Sequence, residues 1–127
     1  MANLGVGFDI LGLAVAEPGD IVEAQFSDAP GVTITAIEGD GGKLPRAAER
    51  NTAGIAIHKG LPLASGLGSS AASAVAAAVA VNALLGEPLA RADLLPAALD
   101  GEELVSGRHT DNVAPCLFGG ITLSFGV

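Results

Sequence analysis

The chain has little that is large, basic or prone to oxidation. It contains no tryptophan or tyrosine, four phenylalanines and one cysteine in 127 residues. Its core must therefore rest on Ala, Val, Leu and Ile. The lone Cys116 excludes an internal disulfide framework, suits a cytoplasmic address, and reads in its apolar neighbourhood as a small core residue. Positive charge is scarce: six Lys and Arg face fourteen Asp and Glu, for a formal net charge of −8. That balance argues against nucleic acid or an anionic membrane as a partner. No basic region opens the chain and Asp9 interrupts its first apolar stretch, which makes a poor signal peptide. The apolar run 71–85 is shorter than the roughly 20 residues of a membrane span. His58 and His109 stand far apart and lack zinc-ligand spacing. Half of the residues are hydrophobic and only 16% are charged, as expected of one ordered domain large enough to bury its own core.

What the chain does have is Pro62-Leu-Ala-Ser-Gly-Leu-Gly-Ser-Ser-Ala-Ala-Ser73. Gly66 and Gly68 lack a Cβ and admit positive φ and close approach of a ligand. The alanine-rich run after them predicts a helix whose first amides have no internal acceptor and lie at the positive end of its dipole. The hydroxyls of Ser69 and Ser70 add ligands for a phosphate or a magnesium ion. The segment reads as a phosphate cradle. A Walker A loop is excluded because no lysine lies between Gly60 and Gly86. Gly66-Leu-Gly68-Ser-Ser-Ala71 also fits a dinucleotide fingerprint, but Pro62 and Ser65 interrupt the strand that should lead into it, and Glu87 sits in a turn. On the residues alone, a glycine turn capping an ordinary helix remains open.

Elsewhere the pattern predicts strands at 10–16 and 21–26 around the turn Glu17-Pro-Gly-Asp20, and a half-buried strand over 31–37. A polar surface loop is expected over 39–50, a brief apolar run at 55–58, and a closing strand within 119–125. The helix after the cradle shows Ala72, Val75, Ala76 and Val79 at helical spacing and is stopped by Gly86 and Pro88. A second helical stretch over 89–105 is broken or kinked at Pro96. Strands gathered around a few helices give an α+β fold class.

Three segments in order resemble one family. The cradle is similar to the second motif of the GHMP small-molecule kinases. Ala2-Asn-Leu-Gly-Val-Gly-Phe-Asp-Ile-Leu-Gly12 resembles the opening motif of their homoserine kinase branch, with Val6 in place of a proline. His109-Thr-Asp-Asn-Val-Ala-Pro115, followed by Phe118-Gly-Gly120, resembles the segment after that branch's magnesium-binding glutamate. The resemblance implies a GHMP N-terminal-type domain over residues 1–127, a mixed β-sheet with helices on one side. Against the family pattern, an internal deletion of about twenty residues falls near 54–57, one residue is lost near Ser106, and the C-terminal ferredoxin-like domain is absent. The missing helix predicts exposed apolar surface around 51–58 and association there, for instance as a homodimer.

The resemblance further implies ATP-dependent phosphorylation of L-homoserine to O-phospho-L-homoserine, on the route to threonine. Pro62, Ser65, Gly66, Leu67, Gly68, Ser69, Ser70 and Ala71 would hold the ATP phosphates. Ser70 (or Ser69) and Glu102 (or Glu103) would bind Mg²⁺, a hard ion that prefers oxygen. Asn3, Asp9 and Asn112 would bind the substrate, with Asp9 on its ammonium group. A carboxylate between Phe8 and Ile10 is costly to bury without a cation, which marks Asp9 as functional. Asn112 and Glu102 are the expected catalytic residues. An amide cannot act as a general base, so the implied route sends the hydroxyl proton to the γ-phosphate. Asp111 reads equally as a support for the Asn112 loop or a turn residue, His109 reads as structural, and Arg108 is the only nearby cation. Rival readings are a non-catalytic nucleotide-binding module, a structural remnant acting through another chain, and a GHMP kinase for a different alcohol.

Overall fold

The alanine-rich run folds as the longest element, α1 (Ser69–Leu84). Glycines bracket it: Gly68 caps its start, and Gly86 (φ 83°) turns the chain just past its end. The computed structural model describes residues 2–3, 9–28, 31–47 and 56–125, with Ala2 and Asn3 as backbone only. Of the expected deletion point near 54–57, residues 54 and 55 fall outside them. A 3₁₀ turn (Arg91–Leu94) leads into α2 (Leu95–Glu103), and α3 spans Thr110–Phe118. Pro96 lies in the first turn of α2, where a missing N–H costs nothing. The stretch 89–105 is therefore two elements, and its proline starts a helix rather than kinking one.

The strands are short: β1 (Ala2–Asn3), β2 (Leu11–Leu13), β3 (Ile21–Glu23), β4 (Ala36–Glu38), β5 (Ala56–His58) and β6 (Ile121–Leu123). They form two three-stranded sheets, β1-β2-β6 and β3-β5-β4. The first is antiparallel throughout; the second is mixed, with β5 antiparallel to β3 and parallel to β4. The Glu17–Asp20 turn thus carries the chain from one sheet to the other and closes no hairpin. Of the predicted 31–37 strand only Ala36 and Ile37 join the sheet, as the first residues of β4; ahead of them Val32 is exposed and Ile34 buried. Asp40 is buried and closes the following loop, its carboxylate accepting from Gly42 N and Leu44 N at 3.0 and 2.9 Å.

The main core lies between the three helices: Ala71 and Val75 of α1, Leu94, Ala98 and Leu99, then Val113 and Leu117 of α3. Each large aliphatic side chain buried there contributes about 1.5–3 kcal/mol. A smaller cluster joins Ile57 of β5 to Ala77 of α1. Burial runs around the whole start of α1, over Ala71 to Val75, whereas Val79 of the predicted apolar face is partly exposed. Ile57 is 1% exposed, so the large apolar side chain in the described part of 51–58 is core, while residues 51–55 lie outside the described residues. None of the described helices is long and apolar enough to cross a membrane.

The first sheet meets α3 at one tight point. Pro115 sits inside α3 and has no N–H to offer the Asp111 carbonyl. The Asp111 carbonyl oxygen instead lies against the backbone of Gly12 in β2, where a Cβ would stand 1.8 Å from it. This contact fixes the start of α3 over the first sheet.

Candidate active site

Between β5 and α1 the chain runs through turns in which Ala64, Gly66 and Gly68 have φ of 57°, 74° and 67°. Gly68 is the N-cap of α1, and no side chain caps the helix. The first amide known to bond back is that of Ala72, to Gly68 O at 3.0 Å. The start of α1 thus presents N–H groups without intrahelical acceptors at its positive end. Ser65 Oγ braces the turn by accepting from Leu67 N at 3.4 Å. Pro62, Ser65 and Gly66 are exposed and Leu67 and Gly68 half-buried. Ala71 is fully buried; its side chain belongs to the core, and only its amide can face the loop.

Behind this turn stands Glu102, in the last turn of α2 and 1% exposed. Its Oε1 accepts from Ser70 Oγ at 2.9 Å and from Ser106 Oγ at 2.6 Å, and the two hydroxyls are 3.0 Å apart. Its Oε2 is buried without a hydrogen-bond partner among the described residues, as is Ser69 Oγ. Burial pushes the Glu102 carboxyl above the ordinary glutamate range, against the pull of the Ser106 and Ser70 hydrogen bonds and the charges of His109 and Lys59. Glu103 goes the other way: it is exposed and accepts from Arg108 Nη1 at 3.0 Å. Arg108 also pairs with Asp100. The two glutamates therefore differ in place, and Arg108 is held on the outer surface by two carboxylates.

A second group assembles beside the first. One ligand atom each from Asp9, His109 and Asp111 lie within 4.8 Å of one another. Asp111 is 1% exposed, and its Oδ2 has no partner among the described residues. Asp9 is exposed with φ 63°, so the cost of burying its charge does not single it out. Its left-handed backbone, rare for a residue with a side chain, aims it at the start of α3. His109 is the N-cap of α3, and its Nε2 lies 2.8 Å from Ser106 O. A carbonyl only accepts, so Nε2 donates and Nδ1 carries the lone pair in the neutral ring. Asn112 stands half-buried in the first turn of α3. Asn3 pairs with Gly12 through its backbone; its side chain lies outside the described residues.

Two members of this arrangement escaped the sequence reading. His109, read there as structural, belongs to the acidic cluster as well as to the helix cap. Ser106 links both groups, through Oγ to Glu102 and through its carbonyl to His109. The available signal was His109-x-Asp111 at a helix start, which acquires meaning only once Asp9 arrives from the other end of the chain. Cys116 is half-buried and burial raises its thiol pKa, which leaves it a poor nucleophile.

Comparison with known proteins gives the chain a family. The family described as the GHMP kinases N terminal domain matches residues 33–120. A homoserine kinase from Xylella fastidiosa is 48% identical over 141 residues, 97% of this chain and 44% of that protein. One from Chloroherpeton thalassium is 41% identical over 152 residues, 98% of this chain and 48% of that protein. The chain thus spans less than half the length of these curated relatives. Among solved structures, a homoserine kinase from Cytophaga hutchinsonii superposes with a TM-score of 0.82 at 45% identity, over 94% of this chain and 44% of that one. Since the family match alone takes in well over half of the residues, from just ahead of β4 to just past the end of α3, this protein belongs to the GHMP kinases through their N-terminal domain.

Proposed function

We propose that the chain is the ATP-binding part of a homoserine kinase, which transfers the γ-phosphoryl group of ATP to the hydroxyl of L-homoserine. The observation that carries this is the meeting of Ser70, Ser106 and the unsatisfied Oε2 of Glu102 behind an uncapped helix start. The donor-rich turn suits the phosphates of a nucleotide. The hydroxyls and the carboxylate are hard oxygen ligands that fit Mg²⁺, and a buried carboxylate oxygen without a donor is what a cation would satisfy. Bound there, Mg²⁺ would neutralise phosphate charge. Ser70 and Glu102 would hold it.

The acceptor would lie over the Asp9–His109–Asp111 group. Two carboxylates suit an ammonium ion, and homoserine carries one at neutral pH. Asn112 and Asn3 would orient the polar atoms of the substrate. In the transfer, the homoserine oxygen bonds to the γ-phosphorus, the bond to the bridging oxygen breaks, and ADP leaves. The hydroxyl proton passes to a γ-phosphate oxygen, because Asn112 has no basic atom. The work of the chain is then positioning and charge neutralisation. A cytoplasmic setting fits such a biosynthetic step.

A second reading is nucleotide binding without turnover, which the uncapped, donor-rich start of α1 would support by itself. Phosphorus NMR of the folded chain with Mg-ATP and homoserine separates the two. A homoserine-dependent phosphomonoester signal is expected of the kinase. Broadened ATP resonances with no product indicate binding alone, and sharp, unchanged ATP resonances refute both.

A further inference from the structure

Lys59, at the end of β5, immediately precedes the glycine turn. It is the natural candidate for a lysine that reaches out to a phosphate, yet its side chain is 2% exposed and turned inward. Nζ donates to Asp20, to Ser69 O at 3.0 Å and to Ser73 Oγ at 2.7 Å. An ammonium group has three donors, and all three are spent. Asp20, whose side chain is 0% exposed, is equally committed. Its Oδ2 takes Lys59 and Ser73 Oγ, and its Oδ1 accepts the amides of Gly60 and Leu61, both at 3.0 Å.

These bonds tie both ends of the turn to one point. Gly60 and Leu61 begin it; Ser69 and Ser73 lie in the first turns of the helix that ends it. The backbone closes around the knot as well. A Cβ on Gly60 would stand 2.0 Å from Gly19 O, and one on Gly39 would stand 2.3 Å from Lys59 O. Buried polar groups so fully satisfied have one low-energy arrangement. We infer that Lys59 is a positioning residue for the phosphate loop, acting with Asp20 and Ser73 to fix the amides that face the phosphates, and that it is not itself a phosphate ligand. The inference rests on the nucleotide-binding reading above only for the affinity it predicts.

The test replaces the pair together, Lys59→Met with Asp20→Asn. Single loss would strand a buried charge, whereas exchanging a whole buried pair is often neutral for stability. Asparagine keeps an oxygen for Gly60 and Leu61, so the change removes the ammonium that ties the turn to Ser69 and Ser73. Hydrogen exchange at the amides of 66–71 should accelerate, and Mg-ATP affinity, followed with a fluorescent ATP analogue, should fall about tenfold while the melting temperature stays near its original value. A lower melting temperature with unchanged loop exchange and affinity would reduce the knot to core packing and overturn the inference. If the unaltered chain binds no Mg-ATP, the nucleotide reading fails by itself, and loop exchange alone decides the role of Lys59. Should the double variant not fold, Ser73→Ala is read in the same way: faster exchange over 66–71 supports the clamp, and none refutes it.

Discussion

At the residue scale, Glu102 shows the tension between burial in the fold and the metal-binding role proposed for it. Burial raises its pKa, so the folded chain holds this proton more tightly than the unfolded chain. The stability it lends is full below the ordinary value near 4.5 and is lost as pH rises through the raised value. Glu102→Gln removes that cost, so at pH 7 urea denaturation should find the variant at least as stable as the original. Magnesium-dependent ATP binding should fall by an order of magnitude or more, since an amide is a weak ligand for a hard cation. Asp9 makes the complementary case. It is exposed and contributes little to the core, so Asp9→Asn should raise the homoserine KM at least tenfold and leave ATP affinity within about twofold. An equal loss of both, in steady-state kinetics and nucleotide titration, would point to misfolding instead.

At the scale of elements, the decisive contact is β2 against α3. An alanine at Gly12 would push its Cβ to 1.8 Å from the Asp111 carbonyl, which is backbone and cannot swing aside. Gly12→Ala should cost about 1–3 kcal/mol or more, read as a lower urea midpoint, and should displace Asp111 and Asn112 together. How much of such architecture was legible in the sequence depended on range. The glycine turn and α1 could be read because a left-handed cap and an alanine run leave local signatures, and Glu102 with Ser70 followed from the family pattern. The strands could not be drawn accurately: three-residue elements such as β4 are defined by their partners, and the alternation of Val32, Thr33 and Ile34 with their neighbours lies ahead of the strand itself. Asp20 looked like a turn residue. Only the folded chain brings it to Lys59, a pairing no local periodicity encodes.

At the scale of the whole molecule, apolar residues remain in the open along one edge: Ile121, Leu123 and Phe125 are 67%, 53% and 84% exposed. Fusing the chain to the remaining part of a full-length relative should cover such surface and complete a substrate cleft. Homoserine phosphorylation, followed as phosphomonoester formation, should then rise well above that of this chain, and equal rates would mean that these 127 residues already hold a complete site. The uncapped start of α1 has a practical consequence for every such measurement. Any small oxyanion that settles on those amides binds the folded chain and not the unfolded one, so it raises the melting temperature by mass action. Inorganic phosphate or sulfate would also occupy the place proposed for the ATP phosphates. In a phosphate buffer the protein would therefore look sturdier and its nucleotide affinity poorer than in an amine buffer, with no change in the molecule itself.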